Sequence, residues 1–245
     1  MNLVAKLKAK KEGELLITDF CPEQVNGLLG KYISNQKSKI LDMGCGPGEF
    51  LALLKEKNYA DLYGTDILYR DALQNRLSAD RFFCMDLNKG AMPKPDNYFD
   101  AIIAWEVFEH LENPYHALRE AYRVLKPGGV FIISMPNPFS LLSKFVFLKH
   151  GNLPRWPRRY SGWDLGHITI FTKDVFWKAF LKDYFDLLER KFWFGEFTYG
   201  FLKNFDGMYP ENELFGRFIV YVMRKKTNRN SRYPRETQEN KNLLY

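Results

Sequence analysis

The 245-residue chain lacks the hallmarks of disulfide-rich and membrane-spanning proteins. Its three cysteines, Cys21, Cys45 and Cys84, are too few and too scattered for a disulfide framework or a cysteine metal site, which favours a reducing compartment. No apolar run is long enough to cross a bilayer, and the lysine-rich start leads into no signal-peptide core. Since the hydrophobic content of 46% is ordinary, we expect a cytoplasmic globular protein.

Two phosphate-binding signatures, G-x-G-x-x-G and G-x-x-x-x-G-K-[ST], are also missing from the glycine-rich turn of this chain. Residues 40–50 instead place Gly44, Gly46 and Gly48 at alternate positions between a short apolar strand and an amphipathic helix. Glycine at such a turn permits positive φ and close approach of the backbone to a ligand. Asp42 lies just before the glycines, where it would repel a pyrophosphate but attract an ammonium or sulfonium group. The turn therefore favours a cationic nucleoside cofactor.

Two later strands each end in an acidic residue. The predicted strand 62–66 ends at Asp66, 18 residues after Gly48, where a carboxylate can accept hydrogen bonds from ribose hydroxyls. The same acid could instead cap a helix. Run 82–87 ends in Asp86 and Leu87, and Asp86 could equally be an ordinary turn residue. Because strand ends in open α/β sheets face the ligand crevice, the binding role is preferred for both acids.

With the apolar strand and polar continuation of residues 98–111, these motifs make residues 39–135 resemble the nucleotide-binding half of a class I S-adenosylmethionine-dependent methyltransferase. The resemblance is strongest to the broad group that includes the ubiquinone and menaquinone biosynthesis methyltransferases. It implies an α/β fold with a Rossmann-like, seven-stranded, mostly parallel sheet, helices on both faces and an antiparallel C-terminal hairpin strand. It also implies that S-adenosyl-L-methionine is bound by Asp42, Gly44, Cys45, Gly46, Gly48, Asp66, Ile67, Asp86, Leu87 and Trp105.

The implied activity is methyl transfer to an unidentified small-molecule acceptor by in-line displacement. Two other functions stay open at this point: a nicotinamide-dependent oxidoreductase on the same fold, and a non-catalytic protein that binds S-adenosylmethionine or acts as a scaffold. The missing G-x-G-x-x-G signature disfavours the oxidoreductase. The intact cofactor motifs disfavour the scaffold. The oligomeric state is open.

Histidines and acids near the end of the fourth strand are candidates for acting on the acceptor. His110 and His167 are the candidate general bases, because imidazole titrates near neutral pH, although each could be a hydrogen-bonded structural histidine. Some quinone-pathway methyltransferases hold a divalent metal with an E-x-x-E-H cluster like Glu106, Glu109 and His110. A salt-bridged cluster without metal explains the same residues, and we expect no metal.

The segment between Pro136 and Trp163 contains no acidic residue, and its lysines and arginines alternate with aromatic residues. Its position after the fifth strand predicts a lid over the methyl donor. Residues 139–160 fit a substrate cap, a peripheral membrane contact or a nucleic-acid platform, besides a lid that simply packs on the core. Substrate contact is favoured by position. Nucleic acid is the least favoured partner.

Three regions are predicted along the chain: an N-terminal helical segment over 1–37, a methyltransferase domain over 38–224 with a lid or substrate insertion at about 136–166, and a disordered tail over 225–245. Residues 12–33 are helical in outline. One helix is predicted to begin with Asn113 as its cap and Pro114 as its first residue, and a helix over about 173–182 is capped by Thr172. Final strands are predicted over 184–194 and 217–223.

Overall fold

The computed structural model describes residues 22–68, 73–74, 76–153, 166–193 and 212–227. Among these, five α-helices are α1 Pro22–Tyr32, α2 Glu49–Glu56, α3 Pro114–Val124, α4 Leu141–His150 and α5 Lys173–Phe176. The strands are β1 Lys39–Met43, β2 Asp61–Asp66, β3 Phe82–Cys84, β4 Phe99–Trp105, β5 Leu125–Pro136, β6 Phe185–Trp193 and β7 Phe218–Lys225. Short 3-10 turns cover Ala79–Arg81 and Phe108–His110.

The strands form one seven-stranded sheet in the order β3-β2-β1-β4-β5-β7-β6. Strands β1 to β5 pair in parallel, whereas β7 pairs antiparallel with both β5 and β6. The carboxyl ends of β1, β2, β3 and β4 therefore lie along one edge, and the chain order reverses direction between β1 and β4. That switch point is where open α/β sheets bind ligands. The predicted fold class is confirmed.

Both faces of the sheet are covered because the central strands are apolar at consecutive positions. Leu41, Ile102 and Phe131 point into one core, which includes residues of α3 and α5. Their neighbours Ile40, Ile103 and Ile132 point into the other core with residues of α1 and α2. All six side chains are buried. The layered packing fixes the sheet edge on which the predicted site lies.

The helix starts predicted from sequence are found where they were expected. The Asn113 side chain accepts a hydrogen bond from His116 N ahead of α3. Thr172 Oγ1 likewise accepts from Val175 N at 3.3 Å. The helix predicted over 173–182 changes its winding part-way, because α5 gives way to a π-helical turn over Trp177–Leu181. Helical residues 22–32 agree with the N-terminal prediction. The rest of that prediction, residues 12–21, lies outside the described residues.

The lid prediction is partly covered by the described residues. Helix α4 lies within it and starts at Ser140, whose hydroxyl accepts from Ser143 N. Residues 154–165 of the predicted lid and 228–245 of the predicted tail lie outside the described part of the chain. The final strands run over 185–193 and 218–225, within two residues of the prediction at each end.

Candidate active site

The glycine turn after β1 is held by backbone hydrogen bonds from the neighbouring strand. The N–H groups of Gly44 and Cys45 both donate to Thr65 O, at 2.7 and 2.9 Å. Gly44, Gly46 and Gly48 all have positive φ, at 77°, 51° and 83°, as the alternating glycines predict. A Cβ at Gly46 would meet no atom within 4 Å. The turn thus presents its backbone to open space at the edge of the sheet.

Val107, which the sequence motifs did not single out, packs against the first glycine of this turn. A Cβ at Gly44 would lie 2.6 Å from Val107 Cγ2. Only glycine fits here, for both conformational and steric reasons. The contact joins the turn after β1 to the segment after β4, and therefore brings the predicted cofactor and acceptor regions together.

Asp66 lies at the carboxyl end of β2 and reaches across to the glycine turn. Its Oδ2 accepts from Gly46 N at 2.8 Å, and its Oδ1 accepts from Leu68 N at 3.2 Å. Next to it, Ile67 is exposed, and its contact with a cofactor remains a prediction. The residue predicted to bind ribose and the turn predicted to approach the cofactor thus occupy one edge.

Asp42 is almost fully buried at the end of β1. It is 2% exposed, and its Oδ2 has no hydrogen-bond partner. Burial, and secondarily the negative charge of Asp66, raise the pKa of Asp42 to about 8. A cationic group placed nearby would favour the ionised carboxylate. Asp42 therefore suits the positively charged cofactor that the sequence motifs imply.

This raised pKa predicts a pH-dependent stability. The unfolded chain loses the Asp42 proton near pH 4 and the folded chain near pH 8, so the folded state binds more protons between these values and stability falls as the pH rises. From pH 5 to pH 8, the free energy of unfolding should fall on the order of 3 kcal/mol further in the wild type than in Asp42→Asn. Urea titrations of the cofactor-free proteins measure this difference. Parallel pH profiles would contradict the assignment.

Asp86 and Leu87 follow β3. Asp86 was predicted either to bind the cofactor or to be an ordinary turn residue. Asp86 Oδ1 accepts from the backbone and side-chain nitrogens of Asn88 at 2.9 and 3.0 Å, and these bonds, the backbone one first, hold the pKa of Asp86 below its usual range. This is the turn geometry of an Asx residue. Leu87 is buried in the core beside β1 and β4. Their proposed contacts with adenine remain predictions.

Of two other predicted cofactor residues, Cys45 belongs to the glycine turn itself and Trp105 lies at the end of β4. Cys45 is buried, and its thiol lies against Gly64 of β2, where an added Cβ would be 2.9 Å from the sulfur. Trp105 ends β4 and packs against Phe50 and Trp193, with ring centroids 5.8 and 5.3 Å apart. Both residues therefore border the turn, and their contact with a cofactor remains a prediction.

The candidate bases His110 and His167 come together although 56 residues separate them in the chain. Their rings are 4.7 Å apart in a T-shaped arrangement. His167 Nε2 lies 3.9 Å from Glu109 Oε1, and both side chains are buried. Glu106 is not one of the three residues whose ligand atoms cluster here, and its Oε1 accepts from Ser134 Oγ on β5. The E-x-x-E-H segment is thus divided in space, with His167 where the sequence spacing suggested Glu106.

Comparison with known proteins identifies the family of this chain. A family model for the methyltransferase domain matches residues 15–187. The chain belongs to this methyltransferase family. A probable S-adenosylmethionine-dependent methyltransferase of Mycolicibacterium smegmatis is 34% identical over 101 residues, which cover 40% of this chain and 38% of the relative. A ubiquinone biosynthesis O-methyltransferase of Aliivibrio fischeri is 31% identical over 142 residues, covering 56% of this chain and 57% of the relative.

The matches to these curated methyltransferases thus span about half of their length or less. Among solved structures, an S-adenosylmethionine-dependent methyltransferase from Archaeoglobus fulgidus aligns with 84% of this chain and 95% of its own, at a TM-score of 0.53 and 22% identity. This similarity confirms the class I methyltransferase fold. The family membership makes S-adenosylmethionine the expected cofactor of the glycine turn, as the resemblance implied.

Proposed function

We propose that this methyltransferase transfers the methyl group of S-adenosylmethionine to a small-molecule acceptor in the cytoplasm. The observation that carries the proposal is the hydrogen bond from Gly46 N to Asp66, which joins the open glycine turn and the strand-end carboxylate at the ligand edge of the sheet. Asp42 and the three glycines would hold the methionine part, Asp66 and Ile67 the ribose, and Asp86 and Leu87 the adenine. Cys45 and Trp105 would complete the walls.

The chemistry asks little of protein side chains, because the sulfonium is already an activated leaving group. The methyl carbon bonds to the acceptor atom as its bond to sulfur breaks, and S-adenosylhomocysteine leaves. Holding the two reactants in line can contribute as much as about 7–11 kcal/mol in favourable cases. An acceptor hydroxyl must also lose a proton. His110 and His167, whose rings lie 4.7 Å apart, are the groups that we propose assist that loss.

Methyl-labelled S-adenosylmethionine tests this function. The protein is incubated with the labelled donor and a small-molecule extract, and the label is followed into products below the size of a protein or nucleic acid. Transfer that requires the protein supports the proposal. Binding of the donor without transfer to any extract fraction favours the non-catalytic scaffold, and no binding contradicts both.

We also propose that helix α4 contacts a membrane surface, so that the acceptor is reached at the interface. The helix is held by its small polar face: Ser143 is buried and donates to Asn137 O at 2.7 Å. Its large apolar side chains point outward, with Leu148 at 85% and Phe145 at 63% exposure. Leu141, Leu142 and Phe147 are exposed as well. A helix that packs through its small polar residues and exposes its large apolar ones presents the kind of apolar surface that marks a contact with a membrane or a partner.

The charge of α4 and its surroundings favours an anionic lipid surface as its partner. Helix α4 carries Lys144 and Lys149 and no acidic residue, and the sequence from Pro136 to Trp163 has none either. Basic residues flanking an apolar helix face are typical of interfacial helices. Among the described residues, no helix has the length and apolar content needed to span a bilayer. The contact that we propose for α4 is with the membrane surface.

Vesicle sedimentation measures the contact. The wild type should bind vesicles of phosphatidylcholine mixed with phosphatidylglycerol, less so at high salt. The double variant Phe145→Ser and Leu148→Ser should bind at least about tenfold more weakly, because each buried side chain contributes about 1.5–3 kcal/mol. Tyr115→Ser on α3 removes an exposed ring elsewhere and should leave binding unchanged. Equal binding by the wild type and the double variant would contradict the proposal.

A further inference from the structure

Three side chains that can bind metal ions meet beyond the end of β4. Glu109, His110 and His167 each offer one ligand atom, and these atoms all lie within 4.8 Å of one another. Glu109 is 1% exposed and His167 5%, while His110 is partly open to solvent. Two ligands at the roughly 2.0–2.2 Å bond lengths that Zn²⁺ prefers lie at most about 4.4 Å apart, so the three side chains would close in slightly around a bound ion.

The backbone holds the two contributing segments in register. The N–H groups of Ile168 and Thr169 donate to Glu109 O at 2.8 and 3.0 Å, and Thr169 Oγ1 donates to Leu111 O at 2.7 Å. The segment that carries His167 is therefore fixed beside the turn that carries Glu109 and His110. Ligands supplied by backbone elements that are already joined need little ordering when an ion binds.

The orientation of His110 is also suited to binding an ion. Its Nδ1 lies 3.2 Å from Gly166 O, and since a carbonyl oxygen can only accept, this hydrogen bond forms in the tautomer with the proton on Nδ1. The other ring nitrogen, Nε2, then presents its lone pair. Metal-binding histidines commonly use one nitrogen for the ion and the other for a carbonyl or carboxylate partner.

The chemistry of the three groups suits a cation. Glu109 and His167 are buried, with His167 Nε2 3.9 Å from Glu109 Oε1, and a carboxylate and two imidazoles are ligand types that divalent transition-metal ions accept.

We propose that Glu109, His110 and His167 form a binding site for a divalent transition-metal ion such as Zn²⁺ or Fe²⁺. Two nitrogen ligands and one oxygen ligand suit these ions better than Mg²⁺ or Ca²⁺. Three protein ligands leave positions open for an acceptor oxygen or water. This assignment differs from the E-x-x-E-H set, because His167 replaces Glu106, which is bonded to Ser134.

The consequence for catalysis rests on the proposed methyl transfer. An acceptor hydroxyl that binds the ion would lose its proton more readily, the proton passing to solvent and the oxygen then taking the methyl group from the sulfonium. The two imidazoles would in that case serve as ligands, and neither would need to act as the base. The ion-binding site itself does not require the methyl-transfer reaction.

Cobalt binding tests the site. The full-length protein is treated with a chelator, and Co²⁺ is added while visible absorption and thermal stability are followed. We expect one equivalent to bind, with ligand-field bands and a raised unfolding temperature. Glu109→Gln and His167→Ala should each weaken binding by more than the roughly 10- to 100-fold that loss of an outer partner costs. His150→Ala, at the exposed end of α4, is the matched control and should change nothing.

Glu106→Gln separates this site from the E-x-x-E-H arrangement. We expect it to bind Co²⁺ as the wild type does. Loss of binding in Glu106→Gln with retention in His167→Ala would overturn the assignment, as would failure of the wild type to bind. S-adenosylhomocysteine binding, measured in parallel on every variant, verifies that each is folded. Cofactor binding does not involve the ion, so a failed metal site would leave the proposed methyl transfer standing. Failure of methyl transfer would likewise leave the metal site standing.

Discussion

Asp66→Ala is expected to weaken the binding of S-adenosylhomocysteine by more than about 100-fold while the protein stays folded. Two hydrogen bonds from ribose hydroxyls to an ionised carboxylate contribute about 1.5–3 kcal/mol each, and every 1.4 kcal/mol is tenfold in affinity. The variant also removes the bond that Asp66 accepts from Gly46 N, which loosens the turn on which the ligand lies. Isothermal calorimetry gives the dissociation constant, and circular dichroism reports the fold.

Asp61→Ala is the matched control for this variant. Asp61 begins the same strand β2 at its opposite end, where it pairs with Arg81 at 2.7 Å. Because the pair is partly exposed, its loss should cost little stability, and cofactor affinity should be unchanged. Wild-type affinity in Asp66→Ala, or an equal loss in both variants, would contradict the assignment of the ribose site.

Gly44→Ala should have the second large effect, on both stability and cofactor binding. Its φ of 77° costs alanine about 1–2 kcal/mol, and the new Cβ would lie 2.6 Å from Val107 Cγ2, adding about 1–3 kcal/mol of overpacking. The turn must move to relieve the contact, and we expect cofactor affinity to fall by at least about tenfold. Urea unfolding and calorimetry measure the two effects.

Gly128→Ala separates the cost of backbone strain from the cost of the contact with Val107. Gly128 has a φ of 75° and open space around an added Cβ, and it lies at the opposite end of the sheet, so it should show the backbone cost alone and normal cofactor binding. Gly44→Ala should also cost less stability in a Val107→Ala background, because the two methyl groups that it meets are gone. Strict additivity of the two changes would show that Val107 is not the cause.

The strands and the cofactor turn were predictable because they depend on local patterns. Consecutive apolar residues such as Ile102 and Ile103 require burial on both faces of the sheet. Glycines at alternate positions predict a turn with positive φ, and the structure has such a turn there. The caps Asn113 and Thr172 were predictable for the same reason, since their bonds join residues three apart. Such features need no knowledge of the tertiary structure.

The acceptor side was less predictable because its contacts join distant residues. No pattern in the sequence pairs His167 with Glu109, or Val107 with Gly44, and both contacts arise only when the sheet brings strand ends together. Asp86 shows a second reason: its local turn with Asn88 and a role in binding adenine use the same carboxylate, and sequence spacing favours neither. The change to π-helical winding after Phe176 likewise has no signal that we recognise in the sequence.

Binding of S-adenosylhomocysteine, compared with NADH, tests most directly that the glycine turn is a methyl-donor site. We predict that S-adenosylhomocysteine alone stabilises the protein, by about 2.7 kcal/mol at 100 times its dissociation constant, with one site in calorimetry. Stabilisation by NADH with no response to S-adenosylhomocysteine would contradict a methyl-donor site and favour the oxidoreductase. Absence of any response to either ligand would contradict a functional cofactor site.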